Sequence, residues 1–488
     1  MKKAPFPKKI RKSLLAHGDL RIDYFYWLRD DQRRDRNVLN YLKKENKYSD
    51  NWFKTNKVNS KDIFRKYKNF IPKFEESFKT KIDNYYYFST ASISQQFRKY
   101  YRVFKKKQKL ILDVNKLAKD KDYYSISGIY PSRNHKYIAY GEDEKGRREY
   151  SIIIKDVEKN QIIEKNICSS SGNIIWSKDT DGYYYLKKNP KTLITNSLWF
   201  HKLNTKNIED KLIYKEKDNQ FNLSLSLSRT KKYLFVNISK TESNEIRYLD
   251  LDNKKNELKC FLKRKNKHLY YVDDTPENFF ILSNRKKKIN FELYKTKLTK
   301  TSDIHWKIQV AHKKNEIIEE FLCFKDFIIL ETRKNGLSQI VQFNRKTKKK
   351  NYIEFKDEAY TVNLTNNYAY DENNFCFIYS SLNSPPTVFS QNLNSNKRIK
   401  QWSQKIVGHK KNKYETKRKT IVARDGATVP ISLIYKKGIN LEKAPLLQYG
   451  YGSYGAVIDP SFKLSFMPLV DEGFIFAIAH IRGGQDLG

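Results

Sequence analysis

Short runs of aromatic and β-branched residues recur along the middle of the chain, each behind a polar turn. They are Tyr85-Tyr86-Tyr87-Phe88, Tyr137-Ile138-Ala139-Tyr140, Tyr183-Tyr184-Tyr185-Leu186, Tyr233-Leu234-Phe235-Val236, Phe279-Phe280-Ile281-Leu282, Phe327-Ile328-Ile329-Leu330 and Phe375-Cys376-Phe377-Ile378. Their first residues are separated by 52, 46, 50, 46, 48 and 48 positions. Residues 177–182 and 273–278 supply turn chemistry ahead of two of these runs, and residues 151–156 and 245–251 are further strand-like segments. Several short strands per unit, in seven units of about 50 residues, predict a seven-bladed β-propeller over residues 72–409, with a β-sandwich of chance spacing as the alternative.

The flanks break this rhythm. Residues 1–71 carry a helical pattern, with Val38, Leu39, Tyr41, Leu42, Tyr48 and Trp52 on one apolar face. From about Lys410 the pattern changes again: residues 420–424 and 429–435 flank an Asp425-Gly426 turn and predict a hairpin. Two unbroken apolar runs follow, residues 445–448 and 474–481, each ending in glycine-rich sequence. Unbroken apolar strands predict a sheet covered on both faces, with residues 464–472 as the crossover helix. Residues 410–488 therefore read as the start of an α/β domain, and strand 474–480 is expected at its open hydrophobic edge.

Composition changes the picture little. The formal charge of +43 invites a nucleic-acid reading, but the lysines are dispersed, accompany abundant Asn, Ile, Tyr and Phe, and form no dense basic arm or reader motif. No nucleic-acid partner is expected. No apolar run reaches 18 residues and the basic N-terminus lacks the apolar stretch of a signal peptide, so no membrane association is expected and a cytoplasmic address follows. Cys168, Cys260, Cys323 and Cys376 lie far apart without paired spacing and read as free thiols. No metal or organic cofactor is implied.

The ends of the chain carry a resemblance. His17-Gly18, Arg21-Ile22-Asp23, Tyr26-Trp27-Leu28-Arg29-Asp30, Val38-Leu39-Asn40-Tyr41-Leu42 and Glu45-Asn46 stand at one end. Tyr449-Gly450-Tyr451-Gly452-Ser453-Tyr454-Gly455, Asp459-Pro460-Ser461-Phe462 and Ala479-His480-Ile481-Arg482-Gly483-Gly484 stand at the other. In this order they resemble the prolyl oligopeptidase family, on its oligopeptidase B branch, over about the first two thirds of the family's usual length. Gln485 departs from the pattern, standing where many relatives carry a third glycine. The resemblance implies a seven-bladed β-propeller inserted into an α/β-hydrolase domain that is incomplete here, and a serine oligopeptidase that cleaves short peptides after Arg or Lys.

That chemistry needs a serine on a strained elbow, a histidine, an orienting carboxylate and oxyanion donors. The fold's chain order implies that the Ser, Asp and His of the triad lie beyond Gly488, as do the carboxylates that would hold a basic side chain. The chain alone is therefore expected to be inactive, with a separately encoded C-terminal hydrolase fragment as a partner. A non-catalytic peptide-binding propeller or decayed pseudoenzyme is the alternative. Ser453 has Gly455 after it but Tyr451 where the elbow needs glycine, and His480, at the end of an apolar strand, reads as hydrogen-bonded structure. Within the resemblance, Tyr451 maps to the phenol that donates to the oxyanion and Tyr454 to an aromatic position of the S1 region. Packing tyrosines are the alternative in a chain with 35 of them.

Overall fold

The computed structural model describes residues 3–56, 60–253 and 257–487. It divides into two compact units, 1–68 and 69–488.

In the first unit, strands Lys12–Ala16 and Asp19–Asp23 pair antiparallel around His17-Gly18, both at positive φ, the two-residue turn whose twist matches that of the strands. Helix Arg36–Thr55 starts at Asp35, whose carboxylate accepts from the Asn37 amide. Val38 on the expected apolar face is buried, while Leu42 and Trp52 are exposed.

In the second unit, each of the seven apolar runs lies in the second strand of an antiparallel meander. The meanders form six sheets. Four are four-stranded and begin at strands Asn222–Leu227, Tyr270–Asp274, Glu316–Cys323 and Tyr360–Leu364; the first sheet begins at Phe74–Glu76 and has five strands. The remaining sheet has eight, because the 16-residue strand Gln161–Trp176 belongs to two meanders at once. Up to Ser170 it pairs with Tyr150–Asp156, and from Ser170 onward with Gly182–Lys188. The switch occurs at Gly172, where φ is +84° and a Cβ would collide with Ser127.

The reason the runs are unbroken is visible in Phe279–Leu282. Successive side chains on a strand point to opposite faces. Phe279 and Ile281 pack toward the third sheet with Phe235 and Phe261, whereas Phe280 and Leu282 pack toward the fifth with Ile328 and Leu330. Tyr183 and Tyr185 divide from Tyr184 and Leu186 in the same way. Both of these second strands are thus covered on both faces, and every consecutive pair of meanders from the first to the seventh shares an apolar cluster.

The sixth sheet also reaches the first, but through polar contacts. Trp402 Nε1 donates to the Glu76 carbonyl at 2.8 Å, Thr80 Oγ1 to Asn366 Oδ1 at 3.0 Å, and Lys81 Nζ lies 3.1 Å from Glu372 Oε1. A cavity of about 860 Å³ opens along this seam, between Tyr86 and Tyr368 among others.

Residues 414–479 form the last sheet. The hairpin Tyr414–Val422 and Thr428–Lys436 is longer than expected and turns through residues 423–427, with Gly426 at φ +82°. Strand Ile475–Ala479 pairs antiparallel with Thr428–Lys436 on one side and parallel with Leu446–Gly450 on the other. This corrects two expectations. The strand expected at the open edge is internal, because the crossover inserts it between the hairpin and the preceding strand, where both of its edges are paired. The edge is instead Leu446–Gly450, which is exposed along its whole length, so the sheet is not covered on both faces there. The crossover helix is a single short turn, Met467–Asp471, whose Met467 and Val470 join Ile434, Ile478, Phe462 and Phe466 in the core beneath the sheet.

Candidate functional site

The parallel strands Leu446–Gly450 and Ile475–Ala479 deliver two glycine-rich loops to the same end of the sheet, residues 451–455 and 481–485. The carboxyl ends of parallel strands are where α/β sheets place their ligands. The loops meet backbone to backbone: the Gly455 amide donates to the Gly483 carbonyl at 2.8 Å, and Gly455 and Gly484 form an isolated bridge. A Cβ at Gly452 would overlap the Arg482 carbonyl, and one at Gly483, where φ is +92°, would overlap the Gly452 carbonyl. The glycines are therefore required by the approach of the two loops. Tyr451 and Tyr454 stand on the outer side of this contact, 41% and 86% exposed, with Tyr454 held at φ +57°.

Ser453 is exposed in the same loop; its carbonyl accepts from the Ala456 amide, and no histidine partners its hydroxyl among the described residues. His480 instead joins a buried chain. His480 Nε2 lies 2.9 Å from Ser432 Oγ, and His480 Nδ1 lies 3.0 Å from Asp486 Oδ1. Arg418 Nη1 donates to Ser432 Oγ at 3.3 Å. An ionised Asp486 can only accept, so Nδ1 carries a proton; in the neutral imidazole Nε2 then accepts from Ser432, and the serine oxygen accepts from Arg418. Every member is satisfied in one direction.

The connectivity is that of a serine-hydrolase triad, yet the surroundings exclude nucleophilic work. Ser432 is fully buried in the middle of strand Thr428–Lys436, and its oxygen is engaged by a guanidinium. A nucleophile on an exposed elbow beside oxyanion donors is the opposite arrangement. Sequence reading identified His480 as hydrogen-bonded structure but missed its partners. The available signal was Ser432, a polar residue at a buried position of an otherwise apolar strand.

Arg333 and the same Arg418 tie this region to the fifth sheet. Arg333, almost fully buried, donates from Nη1 to Asp459 Oδ1 at 2.8 Å and from Nε to Glu319 Oε1 at 2.7 Å. Burial disfavours its charge, but the two carboxylates more than offset this and raise its pKa. Arg418 Nη2 reaches the Asn335 carbonyl at 2.8 Å in the turn that follows Arg333, and burial lowers its pKa. Asp459, quoted in the sequence for its resemblance alone, is thus an anchoring residue.

The first strands of the third, fourth and fifth sheets enclose a separate cavity of about 370 Å³, lined by Leu227, Tyr271, Asp273, Glu319 and Glu320. Burial pushes the Asp273 carboxyl up to about 7, and raises that of Glu320. Among the described residues no cluster of His, Cys, Asp or Glu is arranged to hold a metal ion, and no helix is long and apolar enough to cross a membrane.

The family model for the prolyl oligopeptidase N-terminal beta-propeller domain matches residues 6–404. The chain belongs to the prolyl oligopeptidase family. Within this family of serine oligopeptidases it is close to oligopeptidase B. It is 29% identical over 494 residues to dipeptidyl aminopeptidase BI of Pseudoxanthomonas mexicana, covering 97% of this chain and 68% of that protein. To protease 2 of Moraxella lacunata it is 28% identical, covering all of this chain and 71% of the relative. The structure of oligopeptidase B from Leishmania major superposes with a TM-score of 0.93 at 26% identity, over all of this chain and 73% of that one. The Trypanosoma brucei enzyme, in a closed form with covalently bound antipain, gives 0.91 at 26% identity, over all of this chain and 72% of that one.

Proposed function

We propose that this member of the prolyl oligopeptidase family supplies the propeller and the oxyanion side of an oligopeptidase that cleaves short peptides after Arg or Lys. The reading rests on one observation: two glycine loops locked together at the carboxyl ends of parallel strands, with the exposed Tyr451 between them and open space. In this reading the Tyr451 phenol donates to the developing oxyanion and Tyr454 lines the S1 region. A phenol already aimed at that position needs no reorganisation when charge develops, which is what makes such donors effective.

The six sheets, one of them two meanders joined by a shared strand, support a seven-bladed propeller, and the sheet of residues 414–479 supports an α/β-hydrolase domain around it. The nucleophile, base and orienting acid come, in this proposal, from polypeptide that pairs in parallel along the exposed Leu446–Gly450 edge. Leu446, Leu447 and Tyr449 on that edge would be buried by such pairing.

The test is hydrolysis of a fluorogenic peptide ending in Arg, with the chain alone and with the C-terminal hydrolase polypeptide added. We expect no turnover alone and turnover on reconstitution, lowered about a hundred-fold by Tyr451→Phe. Turnover unchanged by the loss of the hydroxyl removes Tyr451 from the mechanism. Peptide binding without turnover in the reconstituted protein would favour a non-catalytic propeller.

A further inference from the structure

We propose that His480 and Asp486 are positioning residues: their hydrogen bond clasps the two ends of the 481–485 turn and thereby fixes the loop that carries Tyr451. The functional part of this inference rests on the reading of Tyr451 given above; the mechanical part does not.

Little holds the tyrosine loop directly. Its contact surface is Gly452, Gly455 and Ala456, and the opposing surface is Ile481, Arg482, Gly483, Gly484 and Gln485. The glycines let the backbones touch, with the Ile481 side chain laid on Gly452 and that of Gln485 on Gly455, and glycines are the residues with the most conformational freedom to lose. The direct tie is the Gly455 amide on the Gly483 carbonyl. The tyrosine loop therefore inherits its position from the opposing turn, and the turn needs an anchor of its own.

That anchor lies at its ends. His480 closes the strand and Asp486 follows the last turn residue, and their side chains meet at 3.0 Å in a buried, charge-assisted hydrogen bond. The turn between them becomes a closed loop. Asp486 also stands against Gly484, where a Cβ would meet its Oδ2 at 2.6 Å, so the carboxylate supports the turn from beneath. His480 is in turn fixed twice to the neighbouring strand Thr428–Lys436: its amide donates to the Pro430 carbonyl at 3.0 Å, and Nε2 is held by Ser432, itself held by Arg418. The order of support runs from the hairpin through His480 and Asp486 to the turn, and from the turn to Tyr451. The serine-histidine-aspartate geometry here does mechanical work.

The experiment is amide hydrogen exchange on the full chain, comparing the wild type with Asp486→Ala and Asp486→Asn. We expect Asp486→Ala to accelerate exchange in residues 450–456 at least about ten-fold, as loss of a buried charged hydrogen bond implies, while the 414–436 hairpin and the six meander sheets keep their protection. Asp486→Asn retains an oxygen that accepts from His480 Nδ1 and is expected to restore most of the protection. Unchanged exchange at 450–456 in Asp486→Ala overturns the clasp. So does a loss spread evenly over the hairpin, which would mark Asp486 as a general stabiliser of the sheet. The expected exchange result together with a catalytically silent Tyr451→Phe would leave the clasp standing and remove only the oxyanion reading.

Discussion

Glu331 offers a direct electrostatic test of how the fifth sheet is built. It is 6% exposed on strand Phe327–Lys334, accepts from Asn363 Nδ2 at 2.6 Å and from the Leu364 amide at 2.8 Å, and lies directly opposite Glu320 in the ladder. Burial, reinforced by the like charges of Glu320 and Glu319, outweighs the two hydrogen bonds and pushes its carboxyl up to about 7. The folded state therefore holds a proton that the unfolded chain has released between about pH 4.5 and 7, and stability falls as pH rises through that window. The whole displacement corresponds to about 3 kcal/mol, of which about 2 to 3 kcal/mol is lost between pH 5 and 8. Glu331→Gln cannot ionise. It retains one acceptor oxygen and gives up one hydrogen bond, a cost of about 1 kcal/mol at every pH. In urea unfolding followed by tryptophan fluorescence, the variant should be about level with the wild type near pH 5 and exceed it by about 2 kcal/mol at pH 8. A constant offset across that range would rule out this account of Glu331.

Other expectations follow from particular side chains. Leu282→Ala, in the cluster between the fourth and fifth sheets, should lower stability by about 2 to 5 kcal/mol in the same assay, since the surrounding strands can close only part of the cavity. His201 is fully buried with Asp210 on Nδ1 and Glu164 Oε1 3.0 Å from Nε2; burial works against its charge, but the two carboxylates raise its pKa above the ordinary value. Its contribution is complete below about pH 6.5 and disappears as pH rises through the raised folded value, so His201→Gln should cost more stability at about pH 6 than at about pH 9. Leu447→Lys on the exposed edge strand should reduce light scattering of the concentrated chain, as a charge on an edge opposes strand-to-strand association.

The second strands of the middle meanders were legible because both of their faces are buried, which leaves an unbroken apolar run, and that of the first meander keeps the run although Tyr86 faces the seam cavity. Some outer strands were not, because they are short and exposed: Lys350–Tyr352 is exposed at all three residues and carries no pattern to read. The order of strands in the last sheet was misread for a different reason. Two apolar runs announce two strands, but which one becomes the edge depends on where the crossover returns, and Ile475–Ala479 returned to the inside. At the candidate site the glycines were legible as motif, while their cause, two backbones in contact, is a tertiary fact. Ser432 and His480 are separated by 48 positions, and nothing local to either residue signals the other.

The shared strand Gln161–Trp176 makes the ring uneven in a mechanical sense. Elsewhere, neighbouring meanders are held by side-chain packing and share no ladder strand, so separating them breaks packing and not a common ladder. Here a continuous backbone is hydrogen-bonded into both meanders, and it acts as a tie bar. A load that would separate these two must break ladder hydrogen bonds along the strand, whereas the polar seam between the sixth and first sheets yields by exchanging a few contacts for water. Deformation therefore concentrates away from the tie bar, and the two joined meanders move, unfold and refold as one piece.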